Sequence, residues 1–259
     1  MSGFVQAVKL RLGVEGRRRP VEALGLAQLG RALLVFAHMD DEINAVGLVH
    51  RLHDAGVPTD VIVLTDGAAN PWTDARVVGP RSHFECRRDE LLASMRLQRL
   101  GDVVLPALPD SKLAQHVDEA TRVVAQELER RTPGLVITFD SRGINGHADH
   151  MAAHRATVKA LTATQARAAL AMLVPPPPFS WALGAGFRSS TPPTVATLSL
   201  SDEEVELKAQ VFDAYASQQR TLRLLTGGLA PRAFFGLFRA EWYLWLTAGE
   251  AAQWHRQPR

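Results

Sequence analysis

From Arg31 onward, short apolar runs alternate with longer amphipathic stretches. Residues 33–37 form a continuous apolar run that predicts a buried strand. Residues 41–55 then carry Ile43, Val46, Val49 and Leu52 at helical spacing and stop at Gly56, ahead of a second strand over residues 60–64. Strand, helix and strand in that order make a βαβ unit. After a polar loop over residues 65–82, the pattern predicts a helix over 84–99, an extended segment at 103–105, a helix over 113–131 and a strand over 135–139.

The second half is less regular. Residues 175–178 are four consecutive prolines and predict a stiff loop, and residues 194–200 predict a strand. A helix over 202–216 opens with Ser201 as N-cap and Glu204 three residues on, the spacing of a capping box. The expected architecture is α/β: a Rossmann-like, mostly parallel sheet with helices on both faces.

At 259 residues, 46% hydrophobic and 22% charged, the chain has the composition of a soluble globular protein and the length of one domain spanning 1–259. Within it, residues 1–30 read as an N-terminal arm and 170–259 as the less regular C-terminal part of the same domain. A formal net charge of +2 is too small to suggest nucleic-acid binding. Arg17, Arg18 and Arg19 form a local basic run, read as part of a solvated arm. No apolar run approaches the roughly 20 residues that span a bilayer, so stable membrane insertion is not expected. The single cysteine, Cys86, allows no internal disulfide and fits a reducing, cytoplasmic setting. Homo-oligomerisation is left open.

Charged residues change this picture at two places. The first strand ends in Ala37-His38-Met39-Asp40-Asp41-Glu42, a histidine and three acids at the carboxyl edge of a sheet, where α/β proteins bind ligands. A dinucleotide site needs a glycine-rich turn here, and three carboxylates repel a pyrophosphate. Capping of a helix N-terminus accounts for Asp41 and Glu42 but not for His38. The second place is Gly146-His147-Ala148-Asp149-His150, reached from the strand over 135–139. In a parallel sheet both loops open on one side, so His150 completes a set with His38 and Asp41: three ligands and a fourth position left for water. His154, four residues beyond His150, is a rival ligand.

These motifs resemble the two signatures of the PIG-L/LmbE deacetylases, whose members hydrolyse N-acetylglucosaminyl groups. Thr65-Asp66-Gly67, Arg87 with Glu90, and Leu108-Pro109-Asp110 extend the likeness, which beyond about residue 160 rests on Ala216-Ser217-Gln218. The resemblance implies an LmbE-like fold, Zn2+ or another divalent metal such as Fe2+ on His38, Asp41 and His150, and Asp40 as general base. A protonated His147, oriented and charged by Asp149, then stabilises the oxyanion. Arg87 and Asp110 by resemblance, and Arg142, Asp66 and Asn70 by their place on loops after strands, are expected to meet the sugar; Trp72 is a candidate to stack on it. This chain departs from the family in having Met39 where proline is usual, and Asn145-Gly146 where some members carry tyrosine.

The implied activity is zinc-dependent hydrolysis of an acetamido group on an N-acetylated amino sugar. Two other readings stand beside it: an amidase of the same mechanism acting on a larger amide such as a thiol conjugate, and a catalytically silent metal- or carbohydrate-binding protein.

Overall fold

Strands buried on both faces read as continuous apolar runs rather than as alternation. Four segments here are buried over their whole length and mostly apolar: Ala32–Phe36 (β2), Thr59–Val63 (β3), Leu135–Phe139 (β5) and Ala169–Val174 (β6). In the computed structural model, which describes residues 18–174 and 194–255, these four join Arg18–Pro20 (β1), Val103–Val104 (β4), Thr194–Ser199 (β7) and Ala240–Leu246 (β8) in one eight-stranded sheet. The strand order is β1-β7-β8-β6-β5-β2-β3-β4. All neighbours are parallel except β8, which runs antiparallel to both β6 and β7.

The helices are Val46–Asp54 (α1), His83–Gln98 (α2), Val117–Arg131 (α3), Ala148–Thr164 (α4), Asp202–Asp213 (α5), Gln219–Leu225 (α6), Pro231–Leu237 (α7) and Ala248–His255 (α8), with single turns between some of them. They pack in two groups, α3, α4 and α8 in one and α1, α2, α5 and α7 in the other, which cover the two faces of the sheet. Capping boxes start α2 at Ser82 with Glu85, and α5 at Ser201 with Glu204.

The expected mostly parallel α/β sheet is therefore present, with two local differences. Residues 41–45 wind as a tight 3-10 turn before α1 begins. Residues 18–20 of the expected arm instead extend the sheet edge beside β7, and Val21 and Leu26 behind them enter the core. Residues 1–17 of the expected arm, Arg17 included, and the prolines at 175–178 lie outside the described residues. Among the described residues, no helix is long and apolar enough to cross a membrane.

The chain leaves β2 toward β3 and β4 on one side and later returns to place β5 on its other side. This is the topological switch point of an open α/β sheet, and the crevice for a ligand opens at the carboxyl ends of β2 and β5. The antiparallel strand β8 reinforces that region from behind. Glu241, buried in β8, accepts the backbone N–H groups of Gly47 and Leu48 at 3.0 and 3.1 Å, and so docks the first turn of α1. Its carboxylate also pairs with buried Lys208 and accepts from the Tyr243 hydroxyl.

Replacing the Glu241 carboxylate by an amide leaves the buried Lys208 ammonium without its counter-charge and turns one of the two acceptor oxygens into a donor facing a helix N–H group. Glu241→Gln is expected to lower stability by about 3 kcal/mol, read as a lower midpoint in urea at an unchanged slope. A loss well below about 1 kcal/mol contradicts this role.

Candidate active site

Two loops meet at the switch point, one from the end of β2 and one from the end of β5. The first places His38 one residue beyond the apolar run that fills β2 after Ala37; its backbone N–H donates to Asp41 Oδ2 at 2.7 Å, closing a tight turn. The second loop is shaped by buried Asp140, whose carboxylate accepts the N–H groups of Arg142 (3.2 Å) and Ile144 (2.7 Å). Gly143 lies in that turn at φ +62°, and a Cβ there would come within 2.7 Å of the His150 Cβ. Only glycine permits both the turn and the approach of His150.

The Asp41 carboxylate lies between the two loops. Its Oδ1 stands 3.2 Å from His150 Nε2, and its Oδ2 stands 3.5 Å from His38 Nδ1. Hydrogen-bond partners fix both imidazole tautomers. His150 Nδ1 is 3.1 Å from the Gly143 carbonyl, which only accepts, so Nδ1 carries the proton and Nε2 turns a lone pair toward Asp41. His38 Nε2 faces the carboxylates of Asp110 (3.2 Å) and Asp149 (3.3 Å), so that nitrogen holds the proton and Nδ1 faces Asp41. Phe139 stacks on the His150 ring with centroids 3.9 Å apart and fixes its plane.

An unprotonated nitrogen and a carboxylate oxygen facing each other repel unless a proton or a cation lies between them. Two donor atoms on one tetrahedral zinc stand about 3.3 Å apart, because each lies about 2.0–2.1 Å from the ion. The Asp41 to His150 separation matches that spacing, and two nitrogens with one carboxylate are a zinc-type donor set. The local charge balance points the same way. Asp40, Asp41, Asp110 and Asp149 crowd the site, and the cations facing them are Arg87 and whatever charge the imidazoles carry. Burial works against ionisation of Asp41, yet His150 and His38 outweigh it and hold the carboxyl well below its ordinary value. Burial likewise lowers His38, but Asp41, Asp110 and Asp149 raise it well above an ordinary histidine.

Asp40 projects from the same loop. Burial pushes its carboxyl up to about 6, against the opposing pull of Arg87. Arg87, itself buried, reaches from α2 to hold Asp40 Oδ2 at 3.0 Å, the Met39 carbonyl, and the Gly67 carbonyl at 3.3 Å. A Cβ at Gly67 would press on that guanidinium at 3.1 Å, so this glycine leaves the room Arg87 occupies. Among the described residues, seven other than glycine have positive φ. Arg99, Thr132 and Gln165 are left-handed caps at helix ends, a common way to stop a helix. The other four, Asp40, Ala107, Ser111 and Ile144, lie in the loops around the site. Strain of roughly 1–3 kcal/mol at each such position is held in place by the surrounding hydrogen bonds.

Several sequence-based expectations are corrected by this geometry. Asp149 does not orient His147. Its carboxylate is occupied by His38 and by the N–H groups of Ser111 (2.7 Å) and Leu113 (3.0 Å). His147 is instead the N-cap of α4, and its Nδ1 accepts the Asp149 N–H at 3.2 Å. A nitrogen used as acceptor carries no proton, which leaves Nε2 as the N–H donor of a neutral ring. Burial and the neighbouring His38 and His150 rings also hold His147 below the ordinary histidine value. The His147 ring lies 4.8 Å from that of His38 and 4.6 Å from that of His150, and one ring nitrogen of each of these three residues lies within 4.8 Å of the others, a donor set that does not include Asp41.

Arg87, Asp110 and Asp66, expected at the sugar, are taken up by the protein itself. Arg87 makes the contacts above. Asp110 holds His38 and accepts the Ala69 N–H at 2.9 Å. Asp66 Oδ1 accepts the N–H groups of Ala68 (3.0 Å) and Asp110 (3.2 Å), tying two loops together. Asn70 is likewise engaged, donating to Gln218 Oε1 and Thr221 Oγ1. Arg142 is half-buried, and its guanidinium makes no hydrogen bond among the described residues. Trp72 is exposed. His154, the rival ligand, points away to the Phe139 carbonyl, 2.9 Å from its Nδ1.

Sequence reasoning missed the support behind the site. Glu42 is buried, accepts from Ser94 and Tyr215, and is pushed up to about 7 by burial. Glu90 accepts both the N–H and the hydroxyl of Ser217, at 2.6 and 2.7 Å. Three acids in a row were the available signal for the first, but periodicity gives no hint of their distant partners.

A family model described as PIG-L, GlcNAc-PI de-N-acetylase, matches residues 33–161, a span that contains both loops from His38 to His150. A 1D-myo-inositol 2-acetamido-2-deoxy-alpha-D-glucopyranoside deacetylase of Nocardia farcinica is 30% identical over 165 residues, 53% of this chain and 54% of that protein. The chain spans about half the length of the curated relatives it matches. Among solved structures, the deacetylase of the A40926 pseudoaglycone superposes with a TM-score of 0.64 at 18% identity, covering 85% of this chain and 98% of its own. The N,N'-diacetylchitobiose deacetylase of Pyrococcus horikoshii gives a TM-score of 0.58 at 18% identity, covering 89% and 87%. These superpositions establish a shared LmbE-like fold. With the match over residues 33–161, they identify the chain as one that carries a PIG-L family domain.

Proposed function

We propose that the protein hydrolyses the acetamido group of an N-acetylated amino sugar, of the N-acetylglucosaminide type, releasing acetate and a free amine. The observation that carries this reading is the Asp41 carboxylate between two imidazole nitrogens, with a second carboxylate, Asp40, held beside it. His38 Nδ1, Asp41 and His150 Nε2 are the ligands for a divalent ion, with zinc the first candidate and Fe2+ an alternative. Such an ion, when bound, supplies Lewis acidity toward the amide carbonyl and toward water. Asp110 and Asp149 keep the proton on His38 Nε2, so Nδ1 stays free to bind.

The remaining steps fall to this chain's own groups. Asp40, fixed by Arg87, takes the proton of the attacking water as its oxygen bonds to the amide carbon. A carboxyl near 6 retains that proton long enough to return it to the nitrogen as the C–N bond breaks. Water thereby supplies the hydroxyl of the acetate and a proton of the amine. His147, as a neutral Nε2–H donor, is placed to steady the oxyanion. Arg142 is the remaining candidate for contact with the sugar. The family match and the names of its relatives support the amino-sugar substrate; a larger amide is a matter for substrate trials.

Two variants separate these roles. Asp40→Asn is expected to leave zinc content unchanged while turnover on a panel of N-acetylglucosaminides falls roughly 10²–10⁴-fold; retained turnover removes Asp40 as base. Asp149→Asn is expected to weaken zinc binding about 10–100-fold in competition with a chelator. Unchanged zinc affinity shows that the contact to His38 is immaterial. Amine release should stop on chelation and return with added zinc. Intact substrates across the whole panel with zinc-loaded protein defeat the deacetylase reading.

A further inference from the structure

The last third of the chain carries a surface that the site does not use. Between Asp213 and Glu241 the sequence holds four arginines, Arg220, Arg223, Arg232 and Arg239, and no acid. The same segment holds five of the seven large hydrophobic side chains exposed among the described residues. They are Leu224, Leu225, Leu229, Leu237 and Phe238, between 43% and 70% exposed. They are not misplaced core. Leu222 of α6 and Phe235 of α7 turn inward, Phe235 packing edge-on to Phe212 and under Lys208, while their neighbours at 224–225 and 237–238 turn outward. Both short helices are thus split into a face that anchors them and a face that meets solvent.

Arg220 and Arg223 have no carboxylate partner among the described residues. Arg232 pairs with Glu206 and Arg239 with Asp202, each across an exposed contact that solvent screens. Large apolar side chains left exposed beside cations on one segment mark an interaction site. A second copy of the chain is a poor occupant, because a two-fold interface sets like patches together and brings Arg220 and Arg223 against their own counterparts. Leucine and phenylalanine flanked by arginine suit an anionic lipid surface, where the apolar tips enter the headgroup boundary and the guanidinium groups meet phosphates.

From this combination of arginines without carboxylate partners and outward apolar side chains, we propose that the segment over residues 219–239 docks the protein peripherally on an anionic lipid bilayer. This proposal is independent of the reaction assigned above. It also has a geometric consequence. The base of the segment is tied to the loop beside the site, through Asn70 to Gln218 and Thr221, and through Gln218 to Thr73. Exposed Trp72 lies in that same loop. Docking therefore brings one rim of the candidate active site to the membrane.

The test is co-sedimentation of the full chain with vesicles of phosphatidylcholine alone and with vesicles containing about 30% phosphatidylglycerol. At low salt, roughly tenfold more protein is expected on the anionic vesicles, with release as salt rises. Leu225→Ser with Phe238→Ser, and separately Arg220→Gln with Arg223→Gln, should each remove most of this binding. All four side chains are exposed, so thermal stability and zinc content should stay at parental values. Equal binding to both vesicle types, no binding at low salt, or binding unaffected by either variant pair overturns the proposal. So does concentration-dependent dimerisation in ultracentrifugation that the Leu225→Ser, Phe238→Ser variant abolishes, which makes a second copy the occupant. Failure to bind vesicles is also the outcome if the chain's own residues 175–193 or an acidic protein partner occupies the patch.

Discussion

Everything distinctive about this molecule depends on one carboxylate held between two imidazoles that come from opposite sides of a sheet's switch point. Asp41 faces His150 Nε2 at 3.2 Å and His38 Nδ1 at 3.5 Å, with the protons of both rings tied up on their far sides. Such an arrangement needs a proton or a metal cation to share. The fold supplies what keeps it assembled. β2 and β5 are neighbours in register, and both are buried, so the loops that leave them start from fixed points.

The supporting residues work in layers around that carboxylate. Asp110 and Asp149 hold His38, the Gly143 carbonyl and Phe139 hold His150, and Arg87 holds Asp40 and the two flanking carbonyls. The backbone bends sharply in these same loops, at Asp40, Ala107, Ser111 and Ile144. Strained residues persist only where their surroundings over-determine them. Behind the loops, Glu241 docks α1, and Glu42 and Glu90 bind Tyr215, Ser94 and Ser217, so the C-terminal part of the chain braces a site to which the second motif's loop is the last contributor in sequence.

How much of this was legible from sequence depended on whether the signal was local. Buried parallel strands announce themselves as apolar runs, and the strand predicted over 135–139 matches β5 in both bounds. β6 was missed because Ala169–Val174 follows an alanine-rich helix and is itself made of helix formers; pairing with β5 and β8 overrides that propensity. That His38, Asp41 and His150 would meet was readable because a histidine and acids at a strand's carboxyl end are rare and sheet topology brings two such ends together. Partners of the acids were not readable. Asp149 follows His147 by two residues, yet the N-cap geometry of α4 sends its carboxylate to His38. Ala216-Ser217-Gln218 and Glu90 each stood out as fragments, and only the folded chain shows Ser217 bonded to Glu90.

The proposed function rests on His38, Asp41 and His150 sharing one divalent ion and leaving it an exchangeable position. Crystals of zinc-loaded protein, measured on both sides of the zinc absorption edge, test it most directly. The account predicts a single anomalous peak about 2.0–2.2 Å from His38 Nδ1, an Asp41 oxygen and His150 Nε2, with solvent at the remaining position. A peak elsewhere, or one whose fourth position is closed by His147 or another side chain, contradicts it.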